Sequence, residues 1–448
     1  MWAWVNNGIR LSSSLILLPL LTIFLPPSDL GYYWILASLT SMVPLVDLGF
    51  GSAIGRSVSY AMGGASEITA QGIAQDRSED GKPNYILLKR LLSVTRLVYR
   101  WLALVGLVVF GLWGSFWTNS YADQTSMPNL TWLAWVLTLI AAVADVYSGW
   151  WNIYMRGLNL VLLSARISSA VAIVRLIIAG SLIATGAGLM SLPIATLATS
   201  FLQRQLSRHH VLKYLSNSDN AEPSWREEII LLRNLWPSCW RVGVHCLGYY
   251  LAPHAMTLIC ASVLGLQANA QYGISIQIIS IVQSMTMVWL TVKWPEFGQL
   301  CVRGDLITLR RRFRTRLLLQ LASFAVISFL AVVLSSDLLE AMRSGKSVLP
   351  VYWFGLLAVA SFLDLHSNSW VSLIALGNRL PFIWHSVITN LTPIVLALFL
   401  VRIPSLGVGG LVLAPLLPNL LCNYWHWPKE GARVLKTSWT KLIFSHDN

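Results

Sequence analysis

The sequence predicts an all-α polytopic membrane protein, with about twelve transmembrane helices in two pseudo-symmetric six-helix bundles. Three observations predict it. Over 448 residues, 55% are hydrophobic and 11% charged, whereas a soluble domain is about 25% charged. The apolar residues gather in runs of roughly 20, the length that carries a helix across a hydrocarbon layer of about 30 Å. Displacing the chain by 219 residues lays the fourth to sixth runs on the tenth to twelfth without a gap.

Taken in order, the first run covers 11 to 27 and has no small-residue cleavage site after it, so it reads as a retained helix rather than a removed signal peptide. The second, 31 to 54, leads into VDLGFGSAIGR, which sets Asp47 and Arg56 around three glycines. Gly51 and Gly55 have the small-xxx-small spacing that lets helices approach closely, and Gly49 permits a bend. On one continuous helix, nine residues put Asp47 and Arg56 on opposite faces about 13.5 Å apart along the axis. Asp47 then needs a partner elsewhere, with Arg175 or a cavity water the candidates. The third run is 98 to 117, the fourth 131 to 152 with Asp145, the fifth 162 to 183 with Arg175, and the sixth 187 to 204. These form an N-terminal lobe, 1–215. A C-terminal lobe, 216–448, begins with a cytoplasmic linker, 216–236, and continues with runs at 237 to 262, 269 to 292, 317 to 336, 351 to 374, 382 to 401 and 406 to 426. Arg241 and His254 lie on the seventh run, and Asp364 and His366 on the tenth.

Loop charges set the orientation, because Lys and Arg near helix ends stay on the cytoplasmic side. With both termini inside, three basic residues fall outside (Arg343, Lys346, Arg402) and two inside helices (Arg175, Arg241), leaving 27 of the 32 at the inner face. The net charge of +13 therefore belongs to a surface that meets anionic headgroups, and nucleic acid is not an expected partner. Arg310-Arg311-Arg312-Phe-Arg314 and Lys89-Arg90 read as anchors at that surface. Tryptophans near helix ends, including Trp113, Trp132, Trp236, Trp425 and Trp427, read as interfacial belts.

Every outer connection is short, whereas enzymes that join sugars outside a membrane need a sizeable outer loop to hold the acceptor. P-loop, HExxH and GxSxG patterns are missing, so no enzyme and no cofactor is expected. The five cysteines are odd in number and without CxxC spacing, which implies neither disulfides nor a metal site.

In the repeat, Asp145, Ser148, Trp151, Gly188, Leu192 and Ala195 fall on Asp364, Ser367, Trp370, Gly407, Leu411 and Ala414. Two halves with an even helix count share one orientation, an arrangement in which transporters hold substrate between the halves and rock one against the other. Within the hydrocarbon, an ionisable group faces a wet cavity or a partner, because leaving it bare costs a few kcal/mol. Arg175 is too deep to reach either surface easily. It faces a lumen or pairs with Asp145, and both readings can hold. Arg241, a turn or so inside, can snorkel to the headgroups, as can Arg56. Arg175 maps onto Ile394, so Asp364 lacks the corresponding base. It pairs with Arg241 or His254, or exchanges a proton with His366 nearby.

The second-helix VDLGFGSAIGR, RGLNLV after the fourth, SCWRVGVHCLGYYLA in the seventh, WPEFGQLCVRGD after the eighth, ALGNRLPF after the tenth and the late NYWHWP occur in an order that resembles the polysaccharide flippases of the MOP superfamily. These translocate O-antigen and capsule repeat units and are relatives of MATE antiporters and the lipid II flippase. The resemblance spans nearly the whole chain. It implies a MATE-like fold, a multi-pass place in a bacterial inner membrane, and an undecaprenyl diphosphate carrying a short oligosaccharide as substrate, with a polysaccharide polymerase or assembly proteins as possible partners. A diphosphate needs positive charge during transfer, and Arg offers it a planar fork of donors. Arg56, Arg175 and Arg241 are the candidate bases. Coupling to a proton or sodium gradient is implied by the relatives, with Asp364 or Asp47 the candidate carriers and Asp145, His254 and His366 in coupling or buried pairing. A MATE-like exporter of organic cations and a non-transporting membrane component of a polysaccharide assembly complex are the alternatives.

Overall fold

A computed structural model of the protein describes residues 16–68, 83–216, 225–294, 296–297, 300, 305–341, 345–375 and 383–438. The helices are α1 (16–24), α2 (Pro27–Met42), α3 (Phe50–Met62), α4 (Tyr85–Tyr121), α5 (Pro128–Gly157), α6 (Val161–Ala184), α7 (Ser191–Leu215), α8 (Trp225–Thr291, broken at Gly265, φ 85° and ψ 175°), α9 (Leu306–Ala341), α10 (Val351–Ala375), α11 (Ile383–Leu400), α12 (Gly409–Leu421) and α13 (Asn423–Val434). No β-strand occurs among the described residues. The predicted runs coincide mostly with helix, apart from the break at Val43–Gly49 in the second, and among the described residues five segments are long and apolar enough by themselves to cross a membrane: Tyr85–Gln124, Pro128–Gly157, Val161–Ala184, Leu251–Thr291 and Leu306–Ala341. The chain is an all-α polytopic membrane protein.

Sequence dictates where the long helices start and what they show to lipid. Asn84 caps α4 by accepting from Leu87 N at 3.0 Å, which satisfies a donor that the first turn leaves bare. The first half of α4 carries Lys89, Arg90, Arg96 and Arg100, and its second half exposes Leu104, Val108, Leu112 and Phe116. The same order recurs in α9, where Arg310 to Arg316 precede exposed Val326, Phe329, Leu330 and Leu334. An exposed apolar stripe of this length belongs against lipid tails. Asp305 caps α9 by accepting from Thr308 N at 3.1 Å.

The chain divides into two compact units, Met1–His254 and Ala255–Asn448. In the first, α5 is central and packs against α2, α3, α4, α6 and α7. Glycines make the crossing with α3 close. A Cβ on Gly51 would lie 2.7 Å from Ile153, and one on Gly157 would lie 2.7 Å from Val58 and 3.0 Å from the Gly55 carbonyl. In the second unit α10 is central, packed against α9, α12 and α13. There a Cβ on Gly431 of α13 would sit 2.5 Å from the Trp370 ring.

Positions matched by the repeat have matched environments within their own units. Gly188 and Gly407 both take positive φ, 55° and 48°, before α7 and α12. Ala195 and Ala414 are both fully buried, and Trp151 and Trp370 both lie in a core. The continuous helix α7 corresponds to α12 and α13 together, which break at Cys422 (φ −132°, ψ −65°) after Pro415 and Pro418. Proline removes a helical donor and clashes with the preceding turn, so the second copy bends where the first runs straight. Trp427, expected in an interfacial belt, is instead buried with Nε1 donating to Asn423 Oδ1 at 3.0 Å; the bend at Cys422 turns it inward onto the unit's core.

Two glycines of α5 give a matched test. Gly157→Ala drives a methyl into Val58 and the α3 backbone and is expected to cost about 1–3 kcal/mol. Gly149→Ala meets no heavy atom within 4 Å and is expected to gain about 0.5–1 kcal/mol from helix propensity. Thermal unfolding of the purified variants in detergent checks both signs.

Candidate functional site

Inside the first unit lies a cavity of about 600 Å³, lined from α2, α4, α5, α6, α7 and the turn before α3. Its ionisable lining is Asp47, Asp145 and Arg175, and Tyr33, Tyr99 and Trp150 supply an aromatic wall.

Asp47 is placed by a break in the chain. Val43–Asp47 is a 3-10 turn, then Leu48 and Gly49 both take left-handed conformations (φ 45° and 77°) and α3 begins at Phe50. This corrects the expectation of one continuous helix through Asp47 and Arg56. A left-handed non-glycine residue is disfavoured by its Cβ, and it persists here because the surroundings fix it. A Cβ on Gly243 of α8 would come within 2.9 Å of the Leu48 backbone. The reversal turns the Asp47 carboxylate back over the start of α3, where it accepts from Gly51 N at 3.0 and 3.2 Å and from the Tyr99 hydroxyl. Its partners are a helix N-terminus and a phenol, whereas Arg175 faces another acid.

Arg175 instead faces Asp145. One guanidinium nitrogen is 4.0 Å from Asp145 Oδ1, the two side chains are 37% and 55% exposed, and both line the cavity. Nε donates to Thr199 Oγ1 at 3.0 Å, whose hydroxyl donates to Ala195 O at 2.7 Å. The Asp145 carboxylate accepts from Ser200 Oγ at 2.8 Å. Two neighbouring hydroxyls of α7 thus hold the two members of the pair, one each. At 4.0 Å the pair is an ion pair without a hydrogen bond, and Arg175 lines the cavity.

By sequence, no family model and no curated protein matches the chain. By structure, it is similar to the lipid II flippase MurJ in an inward closed conformation (TM-score 0.63, 12% identity, covering 99% of this chain and 89% of that one). It is also similar to an inward-facing multidrug resistance MATE family transporter of the MOP superfamily (0.57, 12%, 96% and 99%) and to an outward-facing one (0.59, 12%, 97% and 96%). The chain has the fold of the MATE transporters and of the flippase MurJ.

On this fold the remaining sequence-predicted residues scatter. Arg56 is exposed on α3 and outside the cavity lining. The side chain of Arg241 lies outside the described residues. His254 is half-buried on α8, away from the cavity. In the second unit, Asp364 accepts from the Tyr424 hydroxyl at 2.8 Å, a partner the sequence reading did not name. His366 accepts from Trp370 Nε1 at 3.0 Å, so its Nε2 is occupied. Sequence reasoning missed Tyr99, Tyr424, Thr199 and Ser200. Their signal was faint: tyrosines and hydroxyls in apolar helices usually serve belts or bond back to their own helix. Among the described residues no group of three or more His, Cys, Asp or Glu could hold a metal ion.

The Asp47 cluster is testable by a double-mutant cycle. Tyr99→Phe removes a donor from a half-buried carboxylate and is expected to destabilise by about 1–3 kcal/mol. In an Asp47→Asn background the same change is expected to cost less, giving a coupling energy of about 1 kcal/mol or more by thermal or denaturant unfolding.

Proposed function

We propose that the chain moves an undecaprenyl diphosphate-linked oligosaccharide of the O-antigen or capsule type from the cytoplasmic to the periplasmic leaflet of a bacterial inner membrane by alternating access. The observation that carries this reading is Arg175, a deep arginine open to a cavity with its fork only loosely paired. A half-exposed base on an apolar helix calls for an anion, and a diphosphate is an anion whose oxygens match the fork. The ordered motifs of the sequence and a flippase among the structural neighbours support the same reading. Arg56 and Arg241 attract the diphosphate at the cytoplasmic end. Transfer breaks no covalent bond, so the protein is no enzyme; a proton or sodium gradient drives the cycle through Asp47, Asp145 or Asp364, with His254 and His366 in supporting positions. The product is delivered where a polysaccharide polymerase or assembly complex takes it up.

A second reading has its own observation. The cavity carries two carboxylates against one guanidinium, which favours organic cations, and multidrug resistance transporters share the fold. Against it, Asp47 is occupied by Tyr99 and Gly51, and Asp145 by Ser200 and Arg175.

Transport separates the two. Inside-out vesicles holding the wild-type chain are expected to move a labelled lipid-linked oligosaccharide and not ethidium. Arg175→Gln is expected to slow lipid movement about tenfold or more, as loss of a bidentate phosphate contact does. Ethidium efflux without lipid movement would replace the first reading with the second.

A further inference from the structure

A transport site must bind its cargo and also let it go, so an unopposed arginine facing a diphosphate in a cavity presents a difficulty. The pair would be strong enough to trap the cargo. Arg175 is not unopposed. Asp145 stands 4.0 Å away, beyond hydrogen-bond distance yet close enough for its charge to act. The arrangement does not depend on the two touching. Thr199 holds Arg175 by Nε, and Ser200 holds Asp145 by Oδ1, so each keeps its position when the other is neutralised. Both open into the same cavity.

We propose that Asp145 is a resident counter-anion to Arg175, which weakens the hold of Arg175 on the diphosphate of the cargo and so permits release. This rests on the reading that Arg175 receives the diphosphate. An arriving phosphate competes with Asp145 for the guanidinium, and when it leaves, Asp145 again neutralises the base. Asp145 is a positioning residue: it lowers affinity and raises turnover.

The test is an affinity-against-turnover split on the full chain. Asn at 145 keeps an oxygen for Ser200 and removes the charge; Ser is a second neutral variant should Asn fold poorly. Titration calorimetry of the solubilised chain with farnesyl diphosphate is expected to show binding about five- to tenfold tighter in Asp145→Asn than in wild type, the effect of a half-exposed charge at this distance. The rate of lipid movement in vesicles is expected to fall. Arg175→Gln should abolish the gain, so that the double variant binds no better than Arg175→Gln alone. Unchanged or weaker binding in both neutral variants, with wild type still binding through Arg175, overturns the counter-anion while leaving the proposed function standing. No diphosphate binding in any variant overturns both. Inorganic pyrophosphate is the second arm. If it binds as tightly as farnesyl diphosphate and gains equally, the counter-anion stands and the cargo is a free diphosphate; weaker binding assigns the site to a lipid headgroup.

Discussion

A carboxylate within a hydrocarbon layer must be met by a donor or it destabilises the helix that carries it. Asp47, Asp145 and Asp364 lie within apolar runs, and each is met differently. Asp47 takes the first turn of α3 and a phenol. Asp145 takes a serine and stands opposite an arginine. Asp364 takes a phenol. The backbone follows from these demands: the left-handed turn at Leu48 and Gly49 folds Asp47 onto α3, and the glycine at 243 lets α8 lie against that turn.

The internal repeat shows what was kept and what diverged. Central helices α5 and α10 share an acid, a serine and a buried tryptophan at matched positions, and the glycines before α7 and α12 share a backbone conformation. These are constraints of packing and backbone, because the tryptophans fill cores and the glycines take a left-handed conformation that a side chain disfavours. The acids diverged in their partners. The first copy kept a base at 175 and a cavity, whereas the second placed Ile394 at the matched position and satisfied Asp364 with Tyr424. The charge pair open to a cavity in the first copy is a feature that packing alone does not require.

Helices were legible in the sequence because apolar length is the whole condition for spanning a bilayer. The close crossing of α3 and α5 was legible from the spacing of Gly51 and Gly55. Arg175 and Asp145 were legible as neighbours from their similar depths, and they stand 4.0 Å apart. The course of the chain at Asp47 was not. Leucine at 48 gives no sign of a left-handed turn, which is imposed by packing against α8. The phenol partners were also illegible, since a hydroxyl on a long side chain reaches across helices whose mutual rotation periodicity does not determine. Trp427 was misjudged for a similar reason: its exposure depends on the bend at Cys422.

The account turns on an anion meeting Arg175 inside the first unit, and a structure of the full chain determined with an isoprenyl diphosphate bound tests it most directly. The account predicts phosphate oxygens about 2.7–2.9 Å from the Arg175 guanidinium, with Asp145 still held by Ser200 and farther from the base than in the empty cavity. A diphosphate bound elsewhere, with Arg175 and Asp145 closed on each other in a direct hydrogen bond, would contradict it.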